Sequence, residues 1–154
     1  MVPTADYDEA VWRQVIDVNL TGVFLCMKYE IPEMLSRGQG CIVNMSSVGL
    51  VGGRIGSAYY ASKHGVIGAT KAAAIEYAGQ GIRVNAFRPA IIETPTVERV
   101  FDGDEEKEAL FKAVHPVGRF GTPEEVASAT LWLCCDGAAF TTGHALAVDG
   151  GRLI

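Results

Sequence analysis

The chain has 154 residues, 49% of them hydrophobic and 20% charged, which fits one globular domain with enough apolar side chains to bury a core. Its formal net charge of -5 and the lack of any Lys/Arg cluster exclude nucleic acid as a partner, because phosphate recognition needs a basic face. No apolar run approaches the ~18 residues of a membrane-spanning helix, and the opening Met1-Val2-Pro3-Thr4-Ala5-Asp6 has neither the basic start nor the apolar stretch of a secretion signal, so a cytoplasmic chain without membrane contact is expected.

In chain order, Asp6 and Glu9 have capping-box spacing, and Val11, Val15, Val18, Gly22 and Leu25 recur at helical intervals, which predicts a helix reaching about Ser36. Arg37-Gly38-Gln39-Gly40 breaks it. Cys41-Ile42-Val43-Asn44-Met45 is a short apolar run of the kind that forms a strand buried on both faces. After Ser46-Ser47, Gly49, Gly52, Gly53 and Gly56 keep the backbone irregular until an alanine-rich helix, Ala58 to Ala78. Gly79-Gln80-Gly81 ends that helix, and the β-branched run Ile82-Arg83-Val84-Asn85-Ala86-Phe87 supplies a second strand that stops at Pro89. The segment Ala90 to Gly121 holds a turn at Thr94-Pro95 and an acidic patch, which suits a mobile covering element. Thr122-Pro123-Glu124-Glu125 carries cap, first-turn proline and box glutamate in register, so a helix runs from there to about Asp136-Gly137. Ala145-Leu146-Ala147-Val148 is a third strand.

Alternation of helix and strand predicts an α/β fold with a parallel sheet, in which ligands sit at the carboxyl ends of the strands. Ser46-Ser47 and Pro89 to Thr94 fall at those ends. Cys26, Cys41, Cys134 and Cys135 lack zinc spacing and read as buried reduced thiols, and the three histidines, His64, His115 and His144, have no metal-ligand spacing, so no metal is expected. Tyr59 and Lys63 lie four apart on the second helix and share a face. An ammonium group there favours a phenolate, which suits proton transfer, although such a pair alone is common on helix surfaces.

The pair does not stand alone. Asp17-Val18-Asn19-Leu20-Thr21-Gly22-Val23-Phe24, Ile42-Val43-Asn44-Met45-Ser46-Ser47, Tyr59-Tyr60-Ala61-Ser62-Lys63-His64-Gly65, Ile82-Arg83-Val84-Asn85, and Thr142-Gly143 with Asp149-Gly150-Gly151 follow one another along nearly the whole chain. In this order they resemble the short-chain dehydrogenase/reductase family. The resemblance implies residues 1–154 as the C-terminal portion of a three-layer α/β/α domain, a partial Rossmann-like, doubly wound parallel sheet. It also implies NAD(P)-dependent interconversion of a secondary alcohol and a ketone by a tetrad of Asn19, Ser47, Tyr59 and Lys63.

By this resemblance Tyr59 exchanges a proton with the substrate oxygen, which Ser47 holds in place. Lys63 assists the tyrosine and holds the nicotinamide ribose, and the Asn19 main chain holds a relay water. Pro89-Ala90-Ile91-Ile92-Glu93-Thr94 resembles the family's Pro-Gly-x-Ile-x-Thr, which assigns Pro89, Ile92 and Thr94, with Tyr59 and Lys63, to the cofactor. Association as a dimer or tetramer through the long helices Asp8–Ser36 and Ala58–Ala78 is implied as well.

Three departures stand out. Ala90 replaces a glycine whose freedom allows close backbone approach to a ligand. Counting thirteen residues back from Tyr59, the family's usual spacing, reaches Ser46, but strand alternation from Ile42 onward favours Ser47, with the residue lost from the glycine loop. No Gly-x-x-x-Gly-x-Gly follows any strand, so the pyrophosphate site and the residue that selects NAD or NADP are absent from these motifs. The expectation is a truncated domain with little or no turnover. A non-catalytic remnant serving as an oligomerisation or interaction module is the alternative, and the small alcohol or carbonyl substrate is set by the segment between Thr94 and Gly121.

Overall fold

The computed structural model describes residues 2–49 and 56–154; Gly52 and Gly53 of the glycine loop lie outside them. Helix α1 (Glu9–Ile16) leads through a widened π turn (Asp17–Thr21) into α2 (Gly22–Ser36), followed by β1 (Gly40–Met45), α3 (Ser57–Tyr77) and β2 (Ile82–Pro89). The covering segment forms α4 (Pro95–Phe101) and α5 (Glu105–Ala113), and α6 (Pro123–Cys134) precedes β3 (Ala145–Val148). The three strands form one parallel sheet in the order β1-β2-β3, with Ile42 opposite Val84 and Phe87 opposite Leu146. The α/β architecture is thus as expected.

Strand alternation sorts the side chains into two layers. Ile42, Ile82 and Val84 point to one side, where they pack with Met27 and Ile31 of α2 and Ala73 and Ala74 of α3. On that side the Asn44 amide donates to Thr70 Oγ1 at 3.0 Å and to Met27 Sδ at 3.3 Å, which removes the cost of burying it. Cys41, Arg83 and Asn85 point to the other side. Arg83 donates to the carbonyls of Leu133 (2.7 Å), Cys134 and Cys135 (both 3.3 Å), a cation placed on the orphan acceptors and negative dipole end of α6. Asn85 donates to the Thr141 carbonyl at 2.8 Å and accepts from the His144 amide at 3.0 Å, so one side chain sets β3 beside β2.

Two expectations need correction. The first helix is capped by Asp8, whose carboxylate accepts from Ala10 and Val11 amides at 2.7 and 3.0 Å. Asp6 is instead used up in a 3-10 turn, Thr4–Asp6, closed by its own amide on the Pro3 carbonyl. The cysteines are free, but Cys26, Cys134 and Cys135 are exposed and Cys41 is half-buried. In α6 it is Leu133 that is buried, while Cys134 reaches the Cys41 thiol of β1 on a face that stays open. The capping box on α6 forms as expected, with Thr122 and Glu125 each bonding the other's amide.

Gly81, at the turn into β2, has φ +80, and a Cβ there would lie 2.5 Å from the Gly38 carbonyl oxygen. Gly81→Ala combines a left-handed backbone with a clash against main chain and is expected to cost at least about 2 kcal/mol, read as a lower urea midpoint at unchanged slope.

Candidate active site

The site is assembled where β1 and β2 end. Ser46 and Ser47 continue β1; the Ser46 amide donates to the Phe87 carbonyl at 2.9 Å and the Val48 amide to the Pro89 carbonyl at 3.0 Å, so the strand pairing persists past Met45. Helix α3 starts at Ser57, after Gly56 at φ 102, and brings Tyr59 and Lys63 over this end of the sheet. The Lys63 ammonium lies 5.7 Å from the centre of the Tyr59 ring and donates to the Met45 carbonyl at 3.0 Å. The Lys63 main-chain carbonyl in turn accepts from Ser46 Oγ at 2.9 Å. Lys63 is 7% exposed, and this burial pushes its ammonium below the usual lysine range.

The two adjacent serines are used differently. Ser46 is buried with its hydroxyl hydrogen committed to α3, whereas Ser47 Oγ accepts from the Gly49 amide at 3.0 Å and keeps its own hydrogen to donate. Asn19 lies in the π turn, a widening of the α-helical ladder seen often at functional positions. Its amide donates to Ser62 Oγ at 3.3 Å, and Ser62 donates to the Tyr59 carbonyl at 2.8 Å, a relay that ties the π turn to the turn of α3 carrying Tyr59. Gly65 permits the approach, since a Cβ on it would meet Leu20 Cδ2 at 2.6 Å. Asn19, Ser47, Tyr59 and Lys63 therefore sit on elements that converge on one strand end. Ser62 was not singled out from the sequence, because nothing in its spacing separates it from any other small helix residue.

Pro89 ends β2, and the Ala90 amide donates to the Val148 carbonyl at 3.1 Å. Ala90 has a negative φ, since among the described residues Asp102 is the one non-glycine at positive φ; the missing glycine imposes no unusual backbone there. Ile92 pairs with Gly121 in a parallel bridge. Thr94 caps α4, its Oγ1 accepting from the Val97 amide at 3.4 Å, which leaves its hydroxyl hydrogen available. Glu125 braces the end of this segment against Arg119, whose guanidinium holds the Glu125 carboxyl down to about 2. Among the described residues no group of three or more His, Cys, Asp or Glu is placed to hold a metal ion, and no helix is long and apolar enough to cross a membrane.

Residues 1–152 match a family model described as enoyl-(acyl carrier protein) reductase. The chain is 46% identical over 152 residues to a 2,5-dichloro-2,5-cyclohexadiene-1,4-diol dehydrogenase of Sphingobium indicum, a match covering 97% of this chain and 61% of that protein. It is 50% identical over 140 residues to a cyclohexanol dehydrogenase of an Acinetobacter species, covering 90% of this chain and 53% of the relative. Among solved structures, ElxO with NADP bound superposes with a TM-score of 0.86 at 38% identity, covering 99% of this chain and 60% of that one. The chain thus spans less than two thirds of the length of these relatives.

The buried ammonium makes a pH prediction. The folded state releases the Lys63 proton at lower pH than the unfolded state, so stability rises as pH climbs from the lowered folded value to the ordinary lysine value. Lys63→Met is expected to gain stability relative to the unaltered chain at pH 7, with that advantage shrinking through the same window, as read from urea unfolding at several pH values. A difference that does not vary with pH would contradict the assignment.

Proposed function

This chain belongs to the short-chain dehydrogenase/reductase family, and from that premise we propose that it interconverts a secondary alcohol and a ketone with NAD or NADP, using Asn19, Ser47, Tyr59 and Lys63. The observation that carries this reading is the Lys63 ammonium, buried beside the Tyr59 ring at the carboxyl end of β1. One helical turn from Tyr59 and held by the Met45 carbonyl, that ammonium stands beside the phenol to which this reading gives the proton transfer.

The chain's residues suit the nicotinamide end of the cofactor. With one N–H on the Met45 carbonyl, Lys63 keeps two donors for ribose hydroxyls, and Thr94 keeps a hydroxyl hydrogen for a carboxamide oxygen. Bound there, the cofactor supplies the acceptor or donor of a hydride. In the oxidation direction Tyr59 Oη takes the proton from the substrate hydroxyl as the carbinol carbon gives up its hydride, and in reduction it returns that proton. Ser47 donates to the same oxygen, holding it within reach of Tyr59. Asn19, tied through Ser62 to the Tyr59 turn, fixes the helix that carries the pair. Relatives named for cyclohexanol and for a cyclohexadiene diol support a ring alcohol as substrate. The exposed Phe24 and Tyr29 on α2 and Ile75 on α3 leave apolar surface on these helices that suits association with a second copy.

The pyrophosphate carries the cofactor's charge, and no Gly-x-x-x-Gly-x-Gly turn that would cradle it follows a strand in this sequence. The 154-residue chain is therefore expected to bind NADH and NADPH weakly, with Kd above the micromolar range by calorimetry, and a form extended to the length of the relatives to bind at least about tenfold more tightly. Tight binding by the short chain would place a phosphate site within it. In the extended form Ser47→Ala is expected to lower kcat by about a hundredfold and Ser46→Ala to act mainly on stability. The reverse order would move the substrate contact to Ser46.

A further inference from the structure

Two thiols that the Tyr59 chemistry does not use meet on the far face of the sheet. Cys41 lies at the start of β1 and points away from α2 and α3, since its neighbour Ile42 packs against them. Its Sγ donates to the Leu133 carbonyl of α6 at 3.4 Å, although 92 residues separate the two in sequence. Cys134, the next residue, reaches the Cys41 thiol. Cys134 is exposed and Cys41 half-buried, so solutes meet the α6 sulfur more readily. The other two cysteines are placed differently. Cys135 Sγ donates to the Trp132 carbonyl at 3.1 Å. Cys26 belongs to α2, in the layer on the opposite side of the sheet.

The charge around the pair separates the roles of its members. The carboxyl end of a helix disfavours a thiolate, but Arg83 offsets that here by donating to the carbonyls of Leu133, Cys134 and Cys135. An exposed sulfur in such a positive setting is the more reactive kind. Burial pushes the Cys41 thiol up, against the pull of Arg83, so Cys41 holds its proton and is not the first to react.

We propose that Cys41 and Cys134 form an oxidation site at which hydrogen peroxide links β1 to α6 by a disulfide. The Cys134 thiolate attacks one peroxide oxygen; the O–O bond breaks, an S–O bond forms, and the hydroxide that leaves takes up the proton Cys134 gave to solvent. Sulfur is oxidised by two electrons and peroxide is reduced. The Cys41 sulfur then displaces the sulfenic oxygen, so that S–S forms as S–O breaks, and the departing hydroxide carries off the Cys41 proton as water. Two thiols and one peroxide thus give one disulfide and two waters. The inference rests on the placement of the thiols and is independent of the Tyr59 reading.

The test is peptide mapping by mass spectrometry after the reduced 154-residue chain, kept dilute, is treated with hydrogen peroxide and its remaining thiols are blocked. The expected product is a single chain lighter by two hydrogens, with the peptide of Cys41 joined to the peptide that holds Cys134 and Cys135. Cys134→Ser is expected to lower the yield of that link at least about tenfold, and Cys135→Ser to leave it unchanged. A link that survives Cys134→Ser, a bond between Cys134 and Cys135, disulfides formed only between chains, or a product in which Cys41 stays a free thiol would overturn the proposal.

Discussion

Lys63 can keep a charged group inside the protein because the last carbonyl of β1 accepts from it, and because Ser46, the next residue, bonds the main chain of the same lysine. Those two bonds pin the first turns of α3 to the end of the sheet. Everything proposed for the site follows from that docking. Tyr59 is one helical turn before Lys63, so its position is set once Lys63 is fixed. Ser47 leaves the strand immediately after the residue that holds α3. The π turn approaches from the other side and is tied to the same turn of α3 through Ser62. A buried ammonium costs stability, and here the cost sits on the element that carries the chemistry, as expected where folding and function compete for one residue.

The sheet supplies the rigid base for this arrangement. Its two faces are closed by different means: apolar packing of α2 and α3 on Ile42, Ile82 and Val84, and polar capping of α6 by Arg83 on the other side. Phe101, stacked on Phe120 at 5.5 Å, anchors α4 to the stretch before α6, so the covering segment has a small core of its own. Gly121 closes it on Ile91 and Glu93, and it joins the β3 end of the sheet through the Ala90 amide on the Val148 carbonyl and the Val117 amide on the Gly150 carbonyl.

Much of this was legible in the sequence wherever the signal was local. Thr122, Pro123 and Glu125 announce their helix because cap, proline and glutamate act within one turn. Ala145–Val148 announces its strand by composition between turn residues. The proposed tetrad rests on a pattern spread over the chain; no single spacing carries it. What escaped was long-range or competitive. The bonds of Arg83 and Asn85 to main chain 50 and 56 residues away leave no periodic trace. Asp6 had the capping-box spacing, but the 3-10 turn closed on Pro3 takes it up and Asp8 caps the helix instead. The apolar pattern around Cys134 and Cys135 resembled a buried face, but both are exposed at the α6 end whose carbonyls Arg83 caps.

The claim on which the account rests is that the Tyr59 hydroxyl moves the proton. Its most direct test is Tyr59→Phe in the form extended to the length of the relatives, with turnover of a secondary ring alcohol and cofactor binding measured on the same preparation. The account predicts a fall in kcat of at least about a hundredfold with cofactor affinity unchanged. A variant that retained turnover within a few-fold of the unaltered enzyme would contradict it.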